Sequence, residues 1–169
     1  MVRIEPITKG IINKYIFDNI SKEDLYLGEP NENIEYGYEL DSHITIIYGY
    51  KTNNIEKIAN SFSKYTKDSI NVTLGKINYF EHKLYYVLYI SVSGQDVFDL
   101  QEYSLNSGLS IDILYPDYKP HCTLAYIKRD SWKKYEYLVN DEYFDKMNIV
   151  CKQIKITSAN GNSDIYTLN

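Results

Sequence analysis

His43-Ile44-Thr45-Ile46-Ile47-Tyr48 and His121-Cys122-Thr123-Leu124-Ala125-Tyr126 follow one pattern: histidine, apolar, threonine, apolar, apolar, tyrosine. Both runs are rich in β-branched and aromatic residues and read as strands. Side chains alternate across a strand, so His43, Thr45 and Ile47 are expected on one face, and His121, Thr123 and Ala125 on another such face. Ile44, Ile46, Cys122 and Leu124 then point the opposite way, into a layer beneath helices. On the same alternation Tyr48 and Tyr126 turn away from the histidines and read as packing residues. The small Ala125 leaves room above the sheet. The two histidines lie 78 positions apart in a chain of 169, close to half its length.

The elements around these runs recur in the same order. After Ile44–Gly49, a helix is expected from the capping pattern Asn53 with Glu56 and from Ile55, Ile58, Ala59, Phe62 and Tyr65 at helical spacing. Residues 70–80 and 84–92 read as two strands joined by a tight turn near Glu81, His82 and Lys83. Residues 95–106 read as a helix that stops at Gly108. Residues 111–115 and 121–127 read as strands on either side of a loop, 116–120. Asp130 or Ser131 is a candidate cap for a helix holding Trp132, Tyr135, Leu138 and Val139. Residues 149–157 and 165–168 read as a hairpin around Asn160 and Gly161. Strand, helix, strand, strand therefore occurs twice, which predicts an α+β fold: a duplicated, bilobal, pseudo-twofold antiparallel sheet with outer helices and a central cleft.

Residues 1–40 stand apart as an N-terminal helix and possible lid ahead of the two lobes of residues 41–169, all in one domain. Ile11, Ile12, Tyr15 and Ile16 mark a helical face within residues 8–20. Ser21 with Asp24 reads as a second helix start, and residues 28–37 read as a polar loop.

Bulk composition limits the partners. The formal net charge is −5 and no run of Lys and Arg forms a basic stripe, whereas proteins that track long nucleic acids draw most of their affinity from phosphate contacts. The acidic balance favours a small nucleotide substrate, with RNA ends kept open. Cys122 and Cys151 form neither a disulfide framework nor a metal motif. No apolar stretch has the length of a membrane span, and no signal-peptide pattern opens the chain. The expectation is a cytoplasmic protein without membrane partner or metal. Nineteen tyrosines suit a sheet-rich fold with half-wet surfaces.

Two histidines sharing a face suit phosphodiester cleavage. One imidazole activates the nucleophile and the other protonates the leaving oxygen, because histidine titrates near neutral pH. The threonine hydroxyls can donate to non-bridging phosphate oxygens. Taken singly, each histidine reads rather as a structural residue and each threonine as a good strand former; the matched pairs favour catalysis, with a non-catalytic nucleotide-binding module as the alternative from another class. Tyr118 and Lys119 precede Pro120-His121 at the expected cleft mouth, candidates for stacking on a base and for meeting a phosphate, with a solvated loop as the alternative. Tyr36 and Tyr38 are lid candidates under the same alternative. Lys128, Arg129, Lys133 and Lys134 read as a solvated face, and His82 as a solvated turn residue.

The paired His-x-Thr strands resemble the signature of the 2H phosphoesterase superfamily, which includes 2′-5′ RNA ligase-like proteins, 2′,3′-cyclic phosphodiesterases and phage anti-CBASS enzymes that destroy cyclic-nucleotide signals. The resemblance covers residues from about Asp41 to the C-terminus. It implies catalytic roles for His43, Thr45, His121 and Thr123 without a cofactor, and a nucleotide substrate such as a cyclic oligonucleotide or an RNA end. A helix and a polar loop are expected where family members often begin with an apolar strand.

Overall fold

The computed structural model describes residues 1–6, 8–28, 36–113, 116–158 and 161–168. The first element is a strand, not a helix: β1 (Val2–Ile4), followed by α1 (Lys9–Asn19). The departure expected at the N-terminus is therefore absent. Three residues are too few to show a period, and only pairing on both edges with longer strands makes them a strand.

β2 (Ile44–Ile47) leads to α2 (Ile55–Ser61), then β3 (Ile70–Glu81), β4 (Tyr85–Ser93) and α3 (Gln95–Leu105). β5 (His121–Lys128), β6 (Asn148–Cys151), β7 (Gln153–Thr157) and β8 (Ser163–Thr167) complete the sheet. The cap of α2 is Asn54, one residue later than expected, with its side chain accepting from the Lys57 N–H at 2.9 Å. The segment after β5 forms 3₁₀ turns at Arg129–Lys134 and Glu136–Leu138 in place of the expected α-helix. Residues 149–157 divide into β6 and β7, which lie in different lobes. Ile111 makes only an isolated bridge to Tyr50, and residues 114–115 of that expected strand lie outside the described residues.

The described strands form one antiparallel sheet in the order β6-β3-β4-β5-β2-β1-β7-β8. Its centre is the β5–β2 pair, with three further strands on each side. The β3–β4 hairpin that follows β2 in sequence thus joins the lobe of β5, while β1 and the β7–β8 hairpin complete the lobe of β2. α1 packs against β5, α2 against β7 and β8, and α3 against β2 and β3. Ile44, Cys122, Ile12, Ile58 and Leu100 share one buried apolar core, so the helices cover one face of the sheet and leave the other for chemistry. Among the described residues no helix is long and apolar enough to cross a membrane.

Candidate active site

Ile44 pairs with Cys122 at the centre of the sheet. Continuing this antiparallel register by one residue on either side sets His43 opposite Thr123 and Thr45 opposite His121. Residues opposite one another share a face. Ile44 and Cys122 are fully buried on the helix side, so all four polar side chains stand on the other side. The two histidines are diagonal neighbours, about 7–8 Å apart by ordinary sheet geometry, a gap that one phosphodiester group can bridge.

Each His-x-Thr strand carries an irregularity at the same place. Arg3 pairs with Thr45 and Val2 with Ile47, so Ile46 is skipped. Tyr89 pairs with Thr123 and Leu88 with Ala125, so Leu124 is skipped. A bulge of this kind resets the alternation. Beyond it Ile47 and Ala125 fall on the helix side, contrary to the expected sharing with the histidines. Tyr48 and Tyr126 correspondingly return to the histidine face instead of turning away from it.

Both imidazoles are held from behind. His43 Nδ1 donates to the Asp41 carbonyl oxygen at 2.8 Å, and His121 Nδ1 donates to the Lys119 carbonyl oxygen at 2.7 Å. A carbonyl only accepts, so each contact assigns the ring hydrogen to Nδ1 and leaves Nε2 with a lone pair. Burial lowers the pKa of both histidines, offset in part by these carbonyls; at His43 the Arg3 charge lowers it further and the Asp41 and Glu5 charges raise it. The Thr45 hydroxyl faces Met1 Sδ at 3.7 Å. A cavity of 290 Å³ opens beyond the end of β2, lined by Met1, Tyr48, Tyr50, Asn53, Ile58 and Ser158 among others and by none of His43, Thr45, His121 and Thr123.

The register also brings residues to this face that the sequence did not single out. Arg3 and Lys155 pair with one another beyond Thr45. Arg3 binds Asp41 and, at 3.2 Å, Glu5; Lys9 reaches Glu5 at 2.8 Å and Asp41 at 2.6 Å. On the other side Ser91 pairs with His121, and the rings of Phe80 and Tyr89 lie 5.0 and 5.2 Å from the His121 ring. Arg3, Lys155, Ser91, Phe80 and Tyr89 carry no local sequence signal, because each reaches the site by strand pairing across a long separation.

The other candidates are placed differently. The Tyr118 hydroxyl donates to the Thr45 carbonyl oxygen at 2.9 Å, and its ring meets Phe98 edge-on; it ties the loop before β5 to β2. Lys119 is exposed, and its carbonyl orients His121. Tyr38 bridges to Ala125, its hydroxyl donates to the Ile20 carbonyl and its ring packs on Phe17, so it lies on the helix side. Tyr36 joins Tyr26, Tyr85 and Tyr126 in an aromatic cluster at the far end of β5. The described residues of the expected lid run alongside β5: Tyr126 N–H donates to Gly37 O, and Glu39 N–H to Leu124 O. Residues 29–35 lie outside the described residues. In the basic group, Lys128 meets the Glu23 carbonyl, Arg129 binds Glu81 and Lys134 binds Asp24. Among the described residues no three His, Cys, Asp or Glu side chains gather where they could hold a metal ion.

Residues 33–147 match the family model of the 2′-5′ RNA ligase superfamily. The chain belongs to that superfamily. The matched segment contains both His-x-Thr strands of the superfamily member, and it begins before and ends short of the stretch over which the sequence resemblance was drawn. No curated protein matches the sequence. Among solved structures, Usb1 of Kluyveromyces marxianus is similar with a TM-score of 0.60 at 13% identity, over 99% of this chain and 96% of that one. A structure of the same Usb1 with uridine monophosphate gives 0.57 at 9% identity, over 99% and 96% of the two chains. A crystal structure of a phosphoesterase gives 0.57 at 13% identity, over 99% and 93%. At these identities the likeness is one of fold, and it spans the whole superfamily member, β1 and the closing β7–β8 hairpin included.

Proposed function

We propose that this superfamily member is a metal-independent phosphodiesterase that cleaves a nucleotide phosphodiester by general acid/base catalysis between His43 and His121, with Thr45 and Thr123 donating to the non-bridging oxygens. The observation that carries this reading is the central register: Ile44 opposite Cys122 brings both His-Thr pairs onto one open face. Nε2 of each imidazole is free to take or give a proton, and the hydroxyls flank the place where phosphate charge grows in the transition state. The preferred substrates are cyclic di- or oligonucleotide signals, which would suit a viral role against host cyclic-nucleotide immunity. The net charge of −5 supports a short substrate.

A second reading, action on an RNA end such as a 2′,3′-cyclic phosphate, draws support from the likeness to the Usb1 fold. Mass spectrometry separates the two. Wild type and a His43→Ala, His121→Ala double variant are incubated with EDTA against a panel of cyclic dinucleotides and a 2′,3′-cyclic-phosphate RNA. Cleavage by wild type alone is the expected result, and the consumed substrate chooses between the readings. Cleavage that disappears with EDTA would remove the metal-independent mechanism, and equal cleavage by the double variant would remove the histidines.

A further inference from the structure

His43 and His121 are alike in chemistry and in the carbonyl behind each ring, yet their surroundings differ. Arg3 is only 7% exposed and stands beside His43, with Nη1 at 3.1 Å from Nδ1. The Asp41 carbonyl already fixes the hydrogen on Nδ1, so Arg3 and His43 present donors to one another and no hydrogen bond joins them. The guanidinium is held there by Asp41 and Glu5 through Nη2, while its buried Nε–H has no acceptor among the described residues.

Arg3 and Glu5 around β1, Lys9 from α1, Asp41 from the approach to β2 and Lys155 from β7 form one linked network of charges that meets the ring of His43 at Arg3. Asp41 and Glu5 favour a proton on His43 and Arg3 opposes it, and Arg3 is the buried group that touches the ring. A proton on His43 would place a second cation against it in a medium of low polarisability, where like charges repel strongly. His121 is buried like His43 but, among the described residues, has no such charge against its ring. It lies beside the rings of Phe80 and Tyr89, among the described residues no charged side chain bonds it, and aromatic rings attract a cation.

We propose that Arg3 is a positioning residue that assigns the two roles, keeping His43 unprotonated as the general base and leaving the catalytic proton to His121 as the general acid. The proposal rests on the two-histidine reading above. In the step it implies, His43 Nε2 takes the proton of the nucleophile, a water or a ribose 2′-hydroxyl. The nucleophile's oxygen bonds to phosphorus, the bond from phosphorus to the leaving oxygen breaks, and the leaving oxygen takes the proton from His121 Nε2. One proton enters at His43 and one leaves at His121, so the enzyme returns to its starting state when the proton passes back through solvent.

The test is NMR titration of the two imidazoles in the free protein, for wild type, Arg3→Gln, Arg3→Lys and Glu5→Gln. In wild type His43 should titrate below His121. Arg3→Gln should raise the His43 midpoint by about 1–2 units, the effect of removing a like charge at close range, and leave His121 in place. Arg3→Lys, which keeps the charge, should leave His43 low. Glu5→Gln should move His43 the other way, to lower pH, a sign that simple loosening of the site would not produce and that decides the matter should Arg3→Gln not fold. His43 titrating at or above His121 in wild type, or both rings moving together in Arg3→Gln, would overturn the proposal. With an active substrate in hand, the acid limb of kcat/KM should shift to higher pH in Arg3→Gln, because that limb follows the base. If no phosphodiester is cleaved by any form, the two-histidine reading fails, while the titrations still report whether Arg3 separates the rings.

Discussion

Ile44 and Cys122 face one another across the two central strands, both fully buried. This apolar pair is the pivot of the pseudo-twofold arrangement. It anchors the middle of each His-x-Thr strand in the core, and the residues before and after it have no choice but to project from the opposite face. The geometry of the site is therefore set by core packing rather than by any contact among the polar residues.

On the proposed mechanism the two histidines act as a unit, so single replacement of either should remove most of the activity. His43→Ala or His121→Ala is expected to lower kcat by about 10²–10⁴-fold, the usual contribution of an acid or base. The double variant should be little worse than the poorer single variant, since loss of one partner already stops the concerted transfer. Single-turnover cleavage assays of the three variants check this, and additive losses would speak for independent roles.

Thr45 and Thr123 are asked to stabilise charge that develops at phosphate. Thr45→Val and Thr123→Val should each reduce kcat by about 10²-fold, as removal of one oxyanion donor does, with KM changed much less. Valine keeps the β-branched shape that the strand favours, so thermal midpoints should move little. A rise in KM at constant kcat would instead assign the hydroxyls to ground-state binding.

The two halves of the site were unequally visible in the sequence. The repeated His-x-Thr pattern and the strand and helix periods around it were legible because each is local: a period of two, a period of three to four, a cap, a glycine stop. The bulges at Ile46 and Leu124 were not, since an irregularity in pairing exists only between two strands. Strict alternation without them puts Ile47, Ala125, Tyr48 and Tyr126 each on the wrong face. Arg3 and β1 were hidden for a related reason: a three-residue strand has no period, and its place between β2 and β7 is decided by tertiary pairing. Asp24 was legible in part: Ser21 does open a helix, the short 3₁₀ helix Lys22–Asp24, while the tie from the Asp24 carboxylate to Ser131, Lys134 and Tyr135 is tertiary and has no local signal.

That cluster gives a stability prediction with a definite sign. Hydrogen bonds from Lys134, Ser131 and Tyr135 hold the Asp24 carboxyl at about 2, below its ordinary value of 3.8. A depressed carboxylate pKa means the unfolded chain binds the proton more readily, so the stabilisation is complete above pH 3.8 and is lost as the pH falls through about 2. Denaturation midpoints measured from pH 7 to pH 2 should show this loss in wild type. Asp24→Asn should start lower at pH 7 and show a shallower decline over the acid window. An unchanged acid decline in Asp24→Asn would mean that other carboxylates carry it.

Tyr48 and Tyr126 occupy matching positions after the two bulges, but only one is open. Tyr126 is enclosed by ring contacts to Tyr36 at 5.1 Å and Tyr85 at 5.7 Å. Tyr48 is 56% exposed and lines the cavity beside Met1. The two ends are thus unequal, and on the proposed mechanism the exposed Tyr48 ring is where a base would stack. Stacking of one base contributes about 1–3 kcal/mol, so Tyr48→Ala should raise KM for a nucleotide substrate by about 5- to 150-fold, with kcat and the thermal midpoint nearly unchanged. Tyr48→Phe should behave as wild type, because the ring and not the hydroxyl does the stacking. Tyr126→Ala should do the reverse: it opens a hole in a packed aromatic cluster and lowers the thermal midpoint. Steady-state kinetics and melting curves on the three variants distinguish the two ends. If Tyr48→Ala leaves KM unchanged, the substrate extends from the phosphate in the other direction, towards β4 and the exposed Lys119.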